Sequence, residues 1–187
     1  MTLKKLAVAA AVFGAVLATA SYFSPHWTIY RMRAAIEKRD TKAFSSYADF
    51  PSLRESFKRQ LAASETGAGK DPAAGAGILD RIGSEITGLV AGPLIDTIVR
   101  PAGVMEMLNS GVPGISRQVV QSTITQVPAA GEAMPEMSVA YDGWSRVMFR
   151  DARVPEHDGS FVLVRAGLWS WRLAEVELPR QRQAGRR

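Results

Sequence analysis

Hydrophobic and polar positions divide the chain into three stretches of different rhythm. The first is unbroken: after Lys4 and Lys5, Leu6 to Phe23 runs for eighteen residues without a charge. Positive then apolar is the order of a Sec-type signal or signal anchor, because the positive end stays on the cytoplasmic side. Leu6 to Leu17 has the length of a cleavable apolar region, and Ala18-Thr19-Ala20 supplies the small-x-small pattern of a cleavage site. The whole of Leu6 to Phe23 is also just long enough to cross a bilayer. Tyr22 and Trp27 then fall where the far interface would lie, which favours a retained anchor over residues 1–23 against cleavage at Ala20.

The second stretch has helical rhythm. Ser24-Pro25 reads as an N-cap with proline at the first helical position, opening a helix with Ile29, Met32 and Ile36 on one face. Asp40 can cap a short second helix with Ala43, Phe44 and Tyr47 inward. Pro51 opens a third, with Leu53, Phe57 and Leu61 at a spacing of four and Glu55 placed to pair with Arg59. Residues 64–77, with four glycines and no large apolar side chain, predict a flexible loop. Leu79, Ile82, Ile86 and Leu89 then mark an amphipathic helix that stops near Gly92-Pro93. Apolar spacing resumes from Leu94 to Val99 and again from Val104 to Leu108, and Ile115 to Val127 leans helical. Pro128 to Pro135 is a second linker.

The third stretch alternates. Ser145 to Val154, Phe161 to Arg165 and Leu168 to Leu178 predict an antiparallel meander of three strands, or four with Met137 to Tyr141, and Glu156 to Gly159 supplies a turn. Helices first and strands afterwards is the α+β order. The chain therefore reads as an N-terminal hydrophobic helix, then a single α+β domain over residues 24–179 with helices packed on a C-terminal antiparallel sheet.

The length of 187 residues leaves room for one such domain after the apolar segment. The net charge of +5 would suggest nucleic acid, but its distribution does not. Setting aside Lys4, Lys5, Arg180, Arg182, Arg186 and Arg187 leaves 17 basic against 18 acidic residues, so the body is near neutral and 180–187 reads as a disordered basic tail. The absence of cysteine excludes disulfides, thiol catalysis and a lipid-modified cysteine anchor.

Ser24 to Leu61, SPHWTIYRMRAAIEKRDTKAFSSYADFPSLRESFKRQL, resembles the opening of the bacterial family called domain of unknown function 2939. That family sets a hydrophobic anchor before a helix, an Asp after it, a Val-Asp-Phe-Pro type junction and an Arg-Glu pair. Here the junction is Ala48-Asp49-Phe50-Pro51, followed by Arg54-Glu55, a departure of one apolar residue. RPAGVMEML at Arg100 to Leu108 and RAGLWSWRLAEVELP at Arg165 to Pro179 are similar to the family as well. The resemblance implies a membrane-anchored bacterial envelope protein and brings no assigned activity. The helix, Asp-x-x-Ala-Phe turn and terminal sheet are also similar to the nuclear transport factor 2-like cone, in which helices and a curved sheet enclose a pocket; fold likeness does not carry function.

Few residues invite chemistry. His26 and His157 are the two imidazoles and fall at a helix start and in a turn, so neither a shared metal nor a catalytic triad is expected. Asp40, Asp49 and Arg54, with Trp169 and Trp171, form the candidate ligand-binding set, against the simpler reading of caps and sheet packing. Two residues apart, Trp169 and Trp171 should share a strand face. The expectation is a single-pass protein of the bacterial inner membrane, held through residues 6–23, with its domain in the periplasm. A secreted or periplasmic form cut at Ala20 is the alternative. The domain would bind a lipid, a small apolar ligand or an envelope protein partner without cofactor, metal or nucleic acid. Two other readings stay open: a small pocket hydrolase or isomerase using an Asp base, and an accessory subunit of a membrane complex.

Overall fold

The computed structural model describes residues 3–67, 91–111, 113–114, 116–127, 136–155 and 159–178. It begins with one continuous helix, α1 (Leu3–Glu37), in which Pro25 is internal. The expected break at Ser24-Pro25 is absent for a local reason. Pro25 has no N–H to give the Ser21 carbonyl, and the Ser24 hydroxyl donates to that oxygen instead, at 2.7 Å. The first half of α1 stands clear of the fold, with Leu6, Val8, Val12, Phe13 and Val16 exposed, whereas Ile29, Met32, Ala35 and Ile36 of the second half are buried. Among the described residues α1 is the one helix long and apolar enough to cross a membrane or to act as a signal sequence.

A Schellman turn ends α1. Arg39 adopts φ 54°, and the amides of Arg39 and Asp40 return to the carbonyls of Ile36 and Ala35, both at 2.9 Å. Asp40 then caps α2 (Thr41–Ser45) by accepting from the Ala43 amide at 2.8 Å. After the extended segment Tyr47 to Asp49 comes α3 (Phe50–Gly67), with Pro51 in the first turn, where its missing N–H costs nothing. Helix α3 runs through 64–67, the first residues of the expected loop; 68–77 and the Leu79 to Leu89 helix lie outside the described residues, as do the 128–135 linker, His157 and the 180–187 tail.

Helix α4 (Ala91–Ile98) carries the chain across Gly92-Pro93, where a stop was expected. In α5 (Pro101–Ser110) every residue from Ala102 to Leu108 is buried, and Gly111 closes the helix in the left-handed conformation. Helix α6 (Arg117–Thr125) follows, capped by Ser116, so the helical leaning of this segment holds. Gly103 sets the approach of α5 to its neighbours: a Cβ there would stand 2.3 Å from the Ile98 carbonyl oxygen and 2.4 Å from Thr123 Oγ1.

The sheet has four antiparallel strands in the order of the chain: β1 (Met137–Asp142), β2 (Arg146–Asp151), β3 (Ser160–Arg165) and β4 (Trp171–Glu177). The α+β class and the strands read from alternation are thus present, with β4 starting at Trp171 rather than Leu168. The Ala166 amide donates to the Ser170 carbonyl at 2.9 Å and closes a loop over residues 166–170. The outer edge of β4 is covered rather than free. The Leu173 amide donates to Tyr47 O and the Asp49 amide to Leu173 O, each at 2.8 Å, a parallel bridge that seats the Ala48-Asp49 junction on the sheet. One turn into α3, Ser56 Oγ both donates to Val176 O (3.2 Å) and accepts from its amide (3.3 Å). Gln60 continues the pairing: its amide nitrogen donates to Val176 O and its carbonyl accepts from Leu178 N. The core lies between α1, α2, α3 and α5 and the sheet, around Met32, Phe44, Leu53, Phe57, Met105 and Leu163.

Candidate functional site

The densest polar and aromatic cluster lies where α1 meets the sheet. Ser21 and Ser24 are three residues apart, on one side of the helix. Ser24 Oγ accepts from Trp171 Nε1 at 2.7 Å. Ser21, 3% exposed, donates to the Leu168 carbonyl at 3.1 Å and accepts from Arg165 Nη1 at 3.0 Å. Arg165 ties the cluster together. Its guanidinium lies over both the Trp144 ring (4.4 Å) and the Trp171 ring (4.3 Å), while Nε donates to Trp144 O and Nη1 to Leu168 O. Each cation–π contact adds about 0.5–1 kcal/mol at the surface and more as water is excluded.

On the adjacent flank Tyr22 stacks on Tyr141 at 4.5 Å. The Tyr141 hydroxyl donates to the Tyr22 carbonyl at 2.7 Å and lies 3.2 Å from His26 Nδ1. Burial, with the neighbouring Tyr22 phenol adding a smaller push, raises the Tyr141 pKa above its ordinary value. Beside the cluster an open groove of about 540 Å³ runs between α1 and the 166–170 loop, lined by Ala20, Phe23, Ser24, His26, Trp27 and Trp169.

Residues 15–107 match the model of a family described as a protein of unknown function, DUF2939. This chain belongs to that family. The match covers the end of the apolar segment, the Asp40 turn, the Ala48 to Pro51 junction and most of α5. The sheet of this DUF2939 chain, with the Arg165 to Pro179 stretch, lies beyond the matched residues. No curated protein and no solved structure matches the chain.

The expected site residues do not assemble. Asp40 is exposed and serves as the α2 cap. Asp49 accepts from the Ser52 amide (3.3 Å) and hydroxyl (3.0 Å), the cap of α3. Arg54 points to the α4–α5 connection, where Nη2 donates to the Val99 carbonyl at 3.1 Å and Nε is buried with no hydrogen-bond partner among the described residues. No hydrogen bond or ion pair links these three among the described residues. Trp169 and Trp171 are in one neighbourhood but not on one strand face: Trp171 is 3% exposed in β4, whereas Trp169, in the loop before it, is 42% exposed.

Three residues of the DUF2939 chain escaped sequence reasoning. Ser21 and Ser24 carried a weak signal, two small polar residues at helical spacing at the end of an apolar run. Glu106 carried another, a lone acid inside RPAGVMEML. It is 1% exposed and accepts from the Ser122 hydroxyl of α6 at 3.2 Å. Among the described residues, no three of His, Cys, Asp and Glu gather as a metal site would require.

Proposed function

We propose that this protein is a single-pass component of the bacterial inner membrane, with α1 retained as its anchor and a periplasmic, non-enzymatic interaction domain built on the second half of that helix. The observation that carries this reading is the continuity of α1. An exposed apolar half and a buried core half belong to one helix of 35 residues, and the Ala20–Ser21 peptide lies inside it. Ser21, the residue after the candidate cleavage point, is buried and bonded to Leu168 and Arg165. Proteolysis there would require local opening of the helix and of that junction. Lys4 and Lys5 precede the apolar run and favour an orientation with the domain outside the cytoplasm. A non-enzymatic role is supported by the use of Asp40 and Asp49 as helix caps, which engages the two carboxylates singled out from the sequence.

The test is expression of the full chain in a bacterial host, followed by alkaline washing of membranes and intact mass measurement. The expected result is a washed-membrane protein retaining residues 1–20, whose domain is digested when protease is added to spheroplasts. A soluble species beginning at Ser21 would refute retention, and protection in spheroplasts would refute the orientation.

A further inference from the structure

We propose that the domain does not hang free of its anchor but sits on the lipid surface, through a seat formed by the β1–β2 turn, the 166–170 loop and the turn of α1 between them. The inference rests on the anchor reading and adds to it a second, peripheral membrane contact that the sheet supplies.

Its basis is the distribution of exposed apolar side chains at and beyond the end of the apolar run. Trp144 in the β1–β2 turn is 61% exposed, Leu168 62%, and Phe23 and Trp27 of α1 57% and 60%. With Trp169 these make five large apolar groups around one point, the place where α1 leaves the sheet. A contiguous cluster of large apolar groups is rarely left facing water and marks a surface that meets a partner or a membrane. Both loops come from the sheet, far along the chain from α1, and the bonds of Ser21 to Leu168 and Arg165 bring them to the anchor.

The vertical level of the loops is set by hydrogen bonds. Leu168 O accepts from Ser21 Oγ at 3.1 Å and from Arg165 Nη1 at 2.7 Å, which holds the loop tip at the height of Ser21. Ser21 lies near the far end of the uncharged run that starts at Leu6, roughly 22 Å along the helix axis at 1.5 Å per residue. The hydrocarbon core is about 30 Å thick and the headgroup layers add several Å on each side. With Leu6 to Phe23 centred in the bilayer, Ser21 lies about 10 Å from the midplane, so Leu168 enters the outer acyl layer a few Å below the boundary, and Trp27, about 9 Å farther along the helix, meets the headgroups. Trp is suited to that layer because its ring is apolar and its N–H can reach a polar partner. The charged groups of the seat are engaged: Arg165 is spread over two indoles, and Asp142, beside the turn, is paired with Arg146 at 3.5 Å. A bilayer fits better than a second protein because the patch continues from the exposed apolar flank of α1, which lipid already surrounds in the anchored state.

The absence of cysteine permits a direct test by single-site spin labelling. Full-length Leu168→Cys and Ser145→Cys would be labelled, reconstituted in phosphatidylethanolamine–phosphatidylglycerol vesicles, and their depth read from collision with oxygen against a water-soluble nickel chelate. Val12→Cys reports the span and Lys42→Cys, beyond the end of α1, reports water. Circular dichroism melts of each labelled chain check folding, and labels at two separate loops guard against loss of one variant. The expected result places positions 168 and 145 at membrane depth, about 5–10 Å around the headgroup–acyl boundary, with 12 deep and 42 aqueous. Labels at 168 and 145 as accessible to nickel as 42, with 12 still deep, would overturn the seat and leave the anchor standing. An aqueous reading at 12 would overturn the anchor and the seat with it. Labels at 168 and 145 shielded from both oxygen and nickel would show protein covering the patch, and would overturn the lipid assignment.

Discussion

The hydrogen bond from Trp171 Nε1 to Ser24 Oγ joins the anchor helix to the last strand, and its strength can be isolated in a double-mutant cycle. Trp171→Phe keeps an aromatic ring in the core but removes the donor that lies 2.7 Å from Ser24 Oγ, and it narrows the surface under Arg165. A net hydrogen bond of this kind contributes about 0.5–1.5 kcal/mol, and with the smaller ring the change should cost about 2 kcal/mol. Ser24→Ala removes the acceptor and also the hydroxyl that donates to Ser21 O in place of the missing Pro25 amide. It leaves the buried indole N–H unpaired, a penalty of about 1–3 kcal/mol. Once either change is made, the Trp171–Ser24 bond is already gone, and the other change costs only its separate effects. The double variant should therefore fall short of the sum by about 1 kcal/mol, where unconnected sites add to within about 0.3–0.5 kcal/mol. For a chain of this size each kcal/mol moves the unfolding midpoint by about 2–4 °C, so scanning calorimetry of the full chain in detergent resolves the difference. Additivity of the two changes would refute a coupled joint between α1 and β4, and with it the height assigned to the loops around Ser21.

Three other outcomes follow from single positions. Gly103→Ala should cost about 1–3 kcal/mol through overpacking; adding Thr123→Ala should recover only part in the same calorimetric assay, because the Ile98 carbonyl, 2.3 Å from the new Cβ, remains. Asp40→Ala should lower stability by about 1 kcal/mol with Asp40→Asn close to neutral, since the cap needs an oxygen and not a charge. Asp151 is held below its ordinary pKa chiefly by the side-chain hydrogen bonds from Arg153, with the Arg153 amide and charge acting in the same direction and burial opposing. A lowered folded pKa means that its stabilisation is fully present above the unfolded value, about 3.9, and is lost as pH falls through the lower folded value. Midpoints measured from neutral to acid should therefore drop less steeply for Asp151→Asn than for the parent.

Much of the fold was legible because periodicity and capping are local. Met32, Phe44, Leu53 and Phe57 are all inward by spacing alone, and all are buried. Asp40 and Asp49 do what their residue type does at a helix start. The loop strand was misplaced because Leu168 and Trp169 are as apolar as a strand requires, and only the closure of Ala166 on Ser170 turns them outward. The helix break at Pro25 was misread because the substitute for the lost amide, a serine hydroxyl one residue earlier, looks in the sequence like a cap.

The apolar segment with its positive flank, the α+β order and the family are legible along the chain, since each depends on residues that are near neighbours in it. Folding is what sets Ser56 and Gln60 against the edge of β4 and stacks Arg165 between Trp144 and Trp171 above Ser21. These contacts join residues more than a hundred positions apart in the case of Ser56 with Val176 and Ser24 with Trp171. No local pattern encodes them, because a hydroxyl or guanidinium has many acceptors within reach, and the packed core selects which one it meets.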